Sequence, residues 1–146
     1  METPICEARQ AFYSNHSKGH YGIILDSLEE FRRYRERMNT RILSSQNIGI
    51  KRFFALDSRA YEKGALDPKT KELLGLVAST VLRCNDCITY HIIRCVQEAV
   101  SDDELLEALN VALIVGGSIT VPHIRRAIDV LDQCREKQKK HEPVEI

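Results

Sequence analysis

A chain of 146 residues with 43% apolar and 29% charged residues has the mix of one ordinary soluble domain, which buries roughly two thirds of its unfolded surface on folding. Lysine plus arginine equals aspartate plus glutamate at 21 each, so no global field draws the chain to nucleic acid or to an anionic membrane. No apolar run reaches membrane length. The start Met1-Glu2-Thr3-Pro4-Ile5-Cys6 lacks the basic and apolar segments of a signal peptide, so a cytoplasmic address is expected.

Residues 1–20 show no sustained period and mix Pro, Ser, Asn, Gly and His, which predicts a loose N-terminal arm. Residues 21–135 read as a single all-helical domain, and 136–146 as a polar, frayed tail. A helical pattern begins at Ile23 and carries Leu28, Phe31, Tyr34, Met38 and Ile42 at spacings of three and four. Acids and bases interleave on its other face from Glu29 to Arg37, as expected of a solvated surface with i,i+4 pairs rather than a nucleic-acid patch. A second helix spans roughly Gly49 to Lys63 and is expected to bury Phe53, Phe54, Leu56 and Tyr61, with Gly64 as its stop.

Asp67-Pro68 is an N-cap followed by proline at N1, and it opens a helix with Leu73, Leu74, Leu76, Val77, Val81 and Leu82. Such a helix, apolar around much of its circumference, is central or buried at an interface. Beyond Arg83, the residues Cys84, Cys87, Ile88, His91, Ile92, Cys95, Val96 and Ala99 follow one helical stripe without a miss. Ser101-Asp102-Asp103-Glu104 is a capping box for the next helix, with Leu105, Leu109, Ala112 and Leu113 inward and Gly116-Gly117 at its end. Pro122 starts a last helix carrying Ile124, Ala127, Ile128 and Leu131. No alternating strand pattern competes, so the expected fold is all-α with about six helices.

Five cysteines at this expected address do not read as a disulfide framework. The close pair Cys84 and Cys87 points instead to metal binding or thiol chemistry. Zinc fits poorly: on one helix Cys84 and Cys95 stand roughly 16 Å apart and Cys84 and His91 roughly 10 Å apart along the axis, too far for ligand bonds near 2.0–2.3 Å. Structural zinc is therefore not expected, and dithiol chemistry at this pair requires no metal and no organic cofactor. A thiol near a helix N-terminus has its thiolate favoured by the unpaired amides, and His91 lies one turn after Cys87, where it can take a thiol proton directly or through water. Cys6, Cys95 and Cys134 are read as structural, and so is His123 after Pro122.

Glu72 stands on the apolar helix before the motif. There a carboxyl is either a buried general base or a residue near the helix start that complements the dipole.

The run Lys71-Glu72-Leu73-Leu74-Gly75-Leu76-Val77-Ala78, followed by Cys84-x-x-Cys87-x-x-x-His91 twelve residues after Glu72, resembles the carboxymuconolactone decarboxylase family. Within it, the chain is closer to the alkylhydroperoxidase D-like branch. The resemblance covers roughly Asp67 to Leu131. It implies a helical fold in homo-oligomers, commonly trimers or hexamers, and a dithiol peroxidase or disulfide oxidoreductase that reduces hydroperoxides. A thiol reductant, a protein or a lipoyl-type carrier, would recycle it.

Residue by residue, the resemblance makes Cys84 and Cys87 the redox pair, His91 the proton relay and Glu72 its acidic partner. Cys87, nearer His91, is expected to meet the peroxide, with Cys84 resolving the sulfenic acid to a disulfide. The alkylhydroperoxidase often has a His before its second cysteine, whereas this chain has Asp86, whose carboxylate disfavours a neighbouring thiolate. Two other readings stand beside this one. The first is a cofactor-free decarboxylase-like enzyme on a small lactone or acid, using Glu72 and His91. The second is a non-catalytic helical oligomer or redox sensor.

Overall fold

The computed structural model describes residues 28–146, so the expected arm 1–20 and the stretch before Leu28 lie outside the described residues. Among those described, the stretches of helical period form six α-helices with no strand: α1 Leu28–Leu43, α2 Ile48–Ala60, α3 Pro68–Val81, α4 Asn85–Gln97, α5 Asp102–Gly116 and α6 Val121–Lys139. One 3₁₀ turn, Ser118–Thr120, joins α5 to α6. None of the helices is long and apolar enough to cross a membrane.

Local chemistry sets the boundaries. Asn47 caps α2 through Ile50 N–H, and Asp67 caps α3 through Thr70 N–H at 2.7 Å with Pro68 behind it. The Ser101/Glu104 capping box is closed in both directions. The Lys69 ammonium, 2.8 Å from Glu104, and the Ser101 backbone N–H hold the Glu104 carboxyl down to about 2. Helix α2 ends at Ala60, three residues before Lys63, because Lys71 Nζ gathers the carbonyls of Ala60 and Glu62 at 2.7 and 2.6 Å and folds the chain back onto α3. The last helix runs past 135 to Lys139, and Val144 and Ile146 of the tail pack against the core.

The Arg83-Cys84 junction is a true break. Arg83 takes a left-handed conformation with φ 60°, and Cys84 N–H returns to the Ser79 carbonyl, a helix-ending motif that usually carries glycine. Ala99, φ 56°, ends α4 in the same way, with Val100 N–H on the Cys95 carbonyl.

Helix α4 is the centre of the fold. It packs on α3 and α6, while α3 also packs on α5. Ile88, Ile92, Ile93, Cys95 and Val96 of α4 are buried with Leu76, Leu105, Leu109, Ala127, Leu131 and Cys134, and α1 adds Leu28 and Phe31. Helices α4 and α6 run in the same direction. His123 meets Asn85 at their starts, and Arg135 Nη2 donates to the Val100 carbonyl just past the end of α4 at 2.9 Å.

The burial expected of α2 is not found. Phe53 and Leu56 are 68% and 66% exposed, Phe54 and Tyr61 are half-buried, and no α2 residue is fully buried. The helix is amphipathic, and among the described residues nothing fully covers its apolar side. In α1, likewise, Tyr34 and Ile42 of the expected stripe are exposed and Met38 is half-buried. Helix α3 fully buries Leu76 but leaves Leu74 exposed, as is Leu82 just past its end, and Ile114, Val115 and Ile119 are exposed at the end of α5 and in the 3₁₀ turn.

Candidate functional site

The geometry of α4 brings the motif to one end of the core. Cys84 is the N-cap, and its sulfur accepts the Cys87 backbone N–H at 3.4 Å. Cys84 and Cys87 are joined as a disulfide, with their Cα atoms 5.3 Å apart across the first turn. Cys84 is half-buried and Cys87 exposed. Asn85 and Asp86 between them face solvent. The stripe that looked uniform in sequence therefore starts at the surface and becomes core from Ile88 onward.

One turn further in, His91 is buried and its Nδ1 donates to Glu72 Oε2 at 2.8 Å. Glu72, 0% exposed, also accepts from Arg94 Nε through its other oxygen at 3.2 Å. The carboxylate thus lies between an imidazole and a guanidinium, which answers the desolvation cost of burying it. Arg94 is itself held by Gln97 at 2.6 Å and Glu98 at 3.1 Å. A carboxylate on Nδ1 fixes the imidazole tautomer and leaves Nε2 as the nitrogen that can exchange a proton.

Two tyrosines frame the imidazole. The Tyr61 ring, from the end of α2, lies 5.5 Å from it, and the Tyr90 ring meets it edge-on at 5.2 Å. Arg35 of α1 stacks over Tyr90 at 4.5 Å. Burial raises both phenols above their usual range, and the nearby Glu72 charge pushes the same way. The remaining described cysteines are of another kind. Burial lifts Cys95 to about 12 and Cys134 to about 11, so neither forms a thiolate near neutrality. Cys6 lies outside the described residues. Among the described residues no three His, Cys, Asp or Glu side chains are placed to hold a metal ion.

The structure adds residues that sequence reasoning missed. A Cβ built on Gly75 would clash with the His91 ring, against Cε1, Nδ1 and Nε2 at once. The glycine in mid-helix was a visible signal, since glycine there costs about 1 kcal/mol relative to alanine and needs a reason such as close approach. Arg94, Tyr61 and Tyr90 gave none. Gly75→Ala is expected to displace the imidazole, costing about 1–3 kcal/mol of stability by overpacking. Thermal melting reads this cost, and an unchanged midpoint would show that the ring can step aside freely.

With this geometry in hand, the matches to known proteins are informative. The model of the carboxymuconolactone decarboxylase family matches residues 50–130, more than half the chain. The chain belongs to this family. Among curated proteins, uncharacterized protein 4 in the cox locus of Paracoccus denitrificans is 31% identical over 81 residues, 56% of this chain and 73% of that one. Two crystal structures of a Thermotoga maritima protein superpose with TM-scores of 0.78 and 0.75 at 54% and 56% identity. They cover 80% and 77% of this chain and 99% and 98% of theirs. The first is described as a member of the family with a suggested part in the antioxidative response. A Legionella pneumophila member is 29% identical with a TM-score of 0.51, over 74% of this chain and 87% of its own. The family match spans Glu72, Gly75, Cys84, Cys87, His91 and Arg94.

Proposed function

We propose that this carboxymuconolactone decarboxylase family protein is a thiol-dependent peroxidase or disulfide oxidoreductase acting through Cys84 and Cys87. The observation that carries the reading is a Cys84–Cys87 disulfide at the surface end of the same helix that, one turn later, holds His91 on a buried carboxylate. Cys87 is the exposed member and the one nearer His91 in sequence, so it is assigned as the attacking thiolate, and half-buried Cys84 as the resolving thiol.

In the cycle, the Cys87 thiolate attacks the terminal oxygen of a hydroperoxide. The O–O bond breaks, the alkoxide leaves with a proton relayed through His91, and Cys87 becomes a sulfenic acid. Cys84 then attacks that sulfur, water leaves and the disulfide forms. Two thiols of a reducing carrier, a protein or a lipoyl-type dithiol, return Cys84 and Cys87 to the reduced state and are themselves oxidised to a disulfide. Glu72 orients His91 and offsets the positive charge it carries in transit, and Arg94 holds the other carboxylate oxygen in place. Asp86, exposed beside Cys87, works against the thiolate and so slows its attack on a peroxide or a disulfide alike.

The same reading includes a homo-oligomer: the family resemblance implies a trimer or hexamer, and exposed apolar side chains of α2, α3 and α5 among the described residues, such as Phe53, Leu74 and Ile114, support subunit contact. Its mass in light scattering tests this, and a monomer would overturn it.

The decisive experiment titrates free thiols on the fully reduced protein before and after one equivalent of hydroperoxide. Loss of two thiols per chain, restored by a dithiol reductant, is the expected result. Full retention of both motif thiols would leave the Glu72–His91 pair as the sole chemistry of the site and favour decarboxylase-like action.

A further inference from the structure

The redox turn is held by a contact that the proposed cycle does not use. His123, on the first turn of α6, lies with Nδ1 2.7 Å from Oδ1 of Asn85, the residue that follows Cys84 and opens α4. An amide oxygen can only accept, so Nδ1 carries the proton and donates. The bond joins segments 38 residues apart and reaches into the four-residue turn that the disulfide closes.

His123 is itself fixed from behind. The Ser118–Thr120 turn and Pro122 set the start of α6. Gly116 lets the Thr120 methyl pack directly on the end of α5, with Val81 at the end of α3 3.7 Å from where a Cβ would stand. Two helix ends that flank the dithiol therefore determine where the imidazole stands, and through Asn85 where the Cys84–Cys87 turn stands.

We propose that His123 is a positioning residue for the dithiol, which through Asn85 holds the first turn of α4 in the geometry that favours the disulfide. This rests on the redox reading of Cys84 and Cys87. In the oxidised protein the turn is closed and the hydrogen bond is formed. Reduction parts the two sulfurs and lets the turn relax, so the bond contributes more to the disulfide than to the dithiol. Losing it shifts the balance toward the dithiol.

The relevant equilibrium is protein dithiol plus oxidised glutathione giving protein disulfide plus two glutathione thiols, in which the electrons balance without any other reactant. A net hydrogen bond moves such an equilibrium by roughly twofold to tenfold. For His123→Ala, a fall of about fivefold in the disulfide-forming constant is expected. At about 30 mV per tenfold, the potential becomes about 20 mV less negative.

The test equilibrates the full chain in glutathione buffers and counts free thiols by alkylation. His123→Asn places an amide N–H where Nδ1–H stood and is expected to restore the wild-type constant to within twofold. Asn85→Ala should reproduce the His123→Ala shift, and the double variant should add nothing to it. If His123→Ala does not fold, Asn85→Ala alone decides, since it removes the same bond at an exposed position.

A constant unchanged in the alanine variants, or one that His123→Asn fails to restore, would overturn the positioning role and leave the redox reading standing. A wild-type protein whose motif cysteines never exchange with glutathione would instead bring down the redox reading, and this inference with it.

Discussion

Cys87→Ser is expected to reduce hydroperoxide turnover to the uncatalysed rate while leaving the melting midpoint of the reduced protein nearly unchanged. Serine keeps the size of the side chain, and position 87 is exposed on the first turn of α4, so little packing is lost. What disappears is the thiolate: a hydroxyl at neutral pH is too weak a nucleophile for the O–O bond without a base that ionises it. Cys84→Ser should behave differently. Cys87 still consumes one equivalent of peroxide, then stalls as a sulfenic acid and passes to irreversible oxidation states as more peroxide is added. Mass spectrometry distinguishes the two variants, by a gain of one oxygen on Cys87 in Cys84→Ser and none in Cys87→Ser. The opposite pattern would exchange the roles of the two cysteines, and undiminished turnover in Cys87→Ser would remove peroxide chemistry from the pair.

Glu72→Gln is expected to reduce both stability and turnover. The carboxylate accepts one bond through each oxygen, from His91 Nδ1 and from Arg94 Nε, with no exposure to water. Glutamine has one carbonyl oxygen for two donors, so its NH₂ must face either the imidazole N–H or the guanidinium. Facing the imidazole, it forces Nδ1 to give up its proton and accept, the wrong tautomer for the relay; facing Arg94, it leaves the Nε–H without an acceptor; in both cases the Arg94 charge is answered only by Glu98. A cost of about 2 kcal/mol follows for the lost charge-assisted bond, or roughly 4–8 °C of melting midpoint for a chain of this size. Turnover should fall about 100-fold, as when a group that supports proton transfer is lost, with the loss in kcat rather than in thiol accessibility. A Glu72→Gln protein destabilised to this extent but fully active would make the Glu72–His91–Arg94 network a structural element only. The contrast with Cys87→Ser is expected to separate the two: loss of turnover at little structural cost for the thiol, loss of both turnover and stability for the carboxylate.

Much of this was legible in the sequence, for reasons that can be named. Helix ends are set by local chemistry, so Asp67-Pro68 and the Ser101/Glu104 box could be read directly, and both caps are formed. The Cys84, Cys87, His91 phase on one helix follows from 3.6 residues per turn. Glu72 was recognised by its place on an apolar helix, although whether it was buried or wet stayed open until the fold put it against His91.

Long-range partners were not legible. The Arg94 guanidinium on Glu72, the Tyr61 ring beside His91 and the Asn85–His123 bond join residues 22, 30 and 38 positions apart, and no local pattern encodes such meetings. Burial also misled where it depended on neighbours. Phe53 and Leu56 form an apolar face that periodicity assigns to the core, yet among the described residues both stay exposed.

The sequence by itself determined the helices, their caps and the in-phase thiols and imidazole, because hydrogen bonding within a turn and side-chain period are local properties. Only the tertiary structure decided that Glu72 is buried between a cation and an imidazole, that Gly75 makes room for that imidazole, and that His123 meets Asn85 in the turn that the Cys84–Cys87 bond closes. Those facts depend on how α3 and α6 pack against α4, and the packing is settled by the shape of the whole core rather than by any one segment of it.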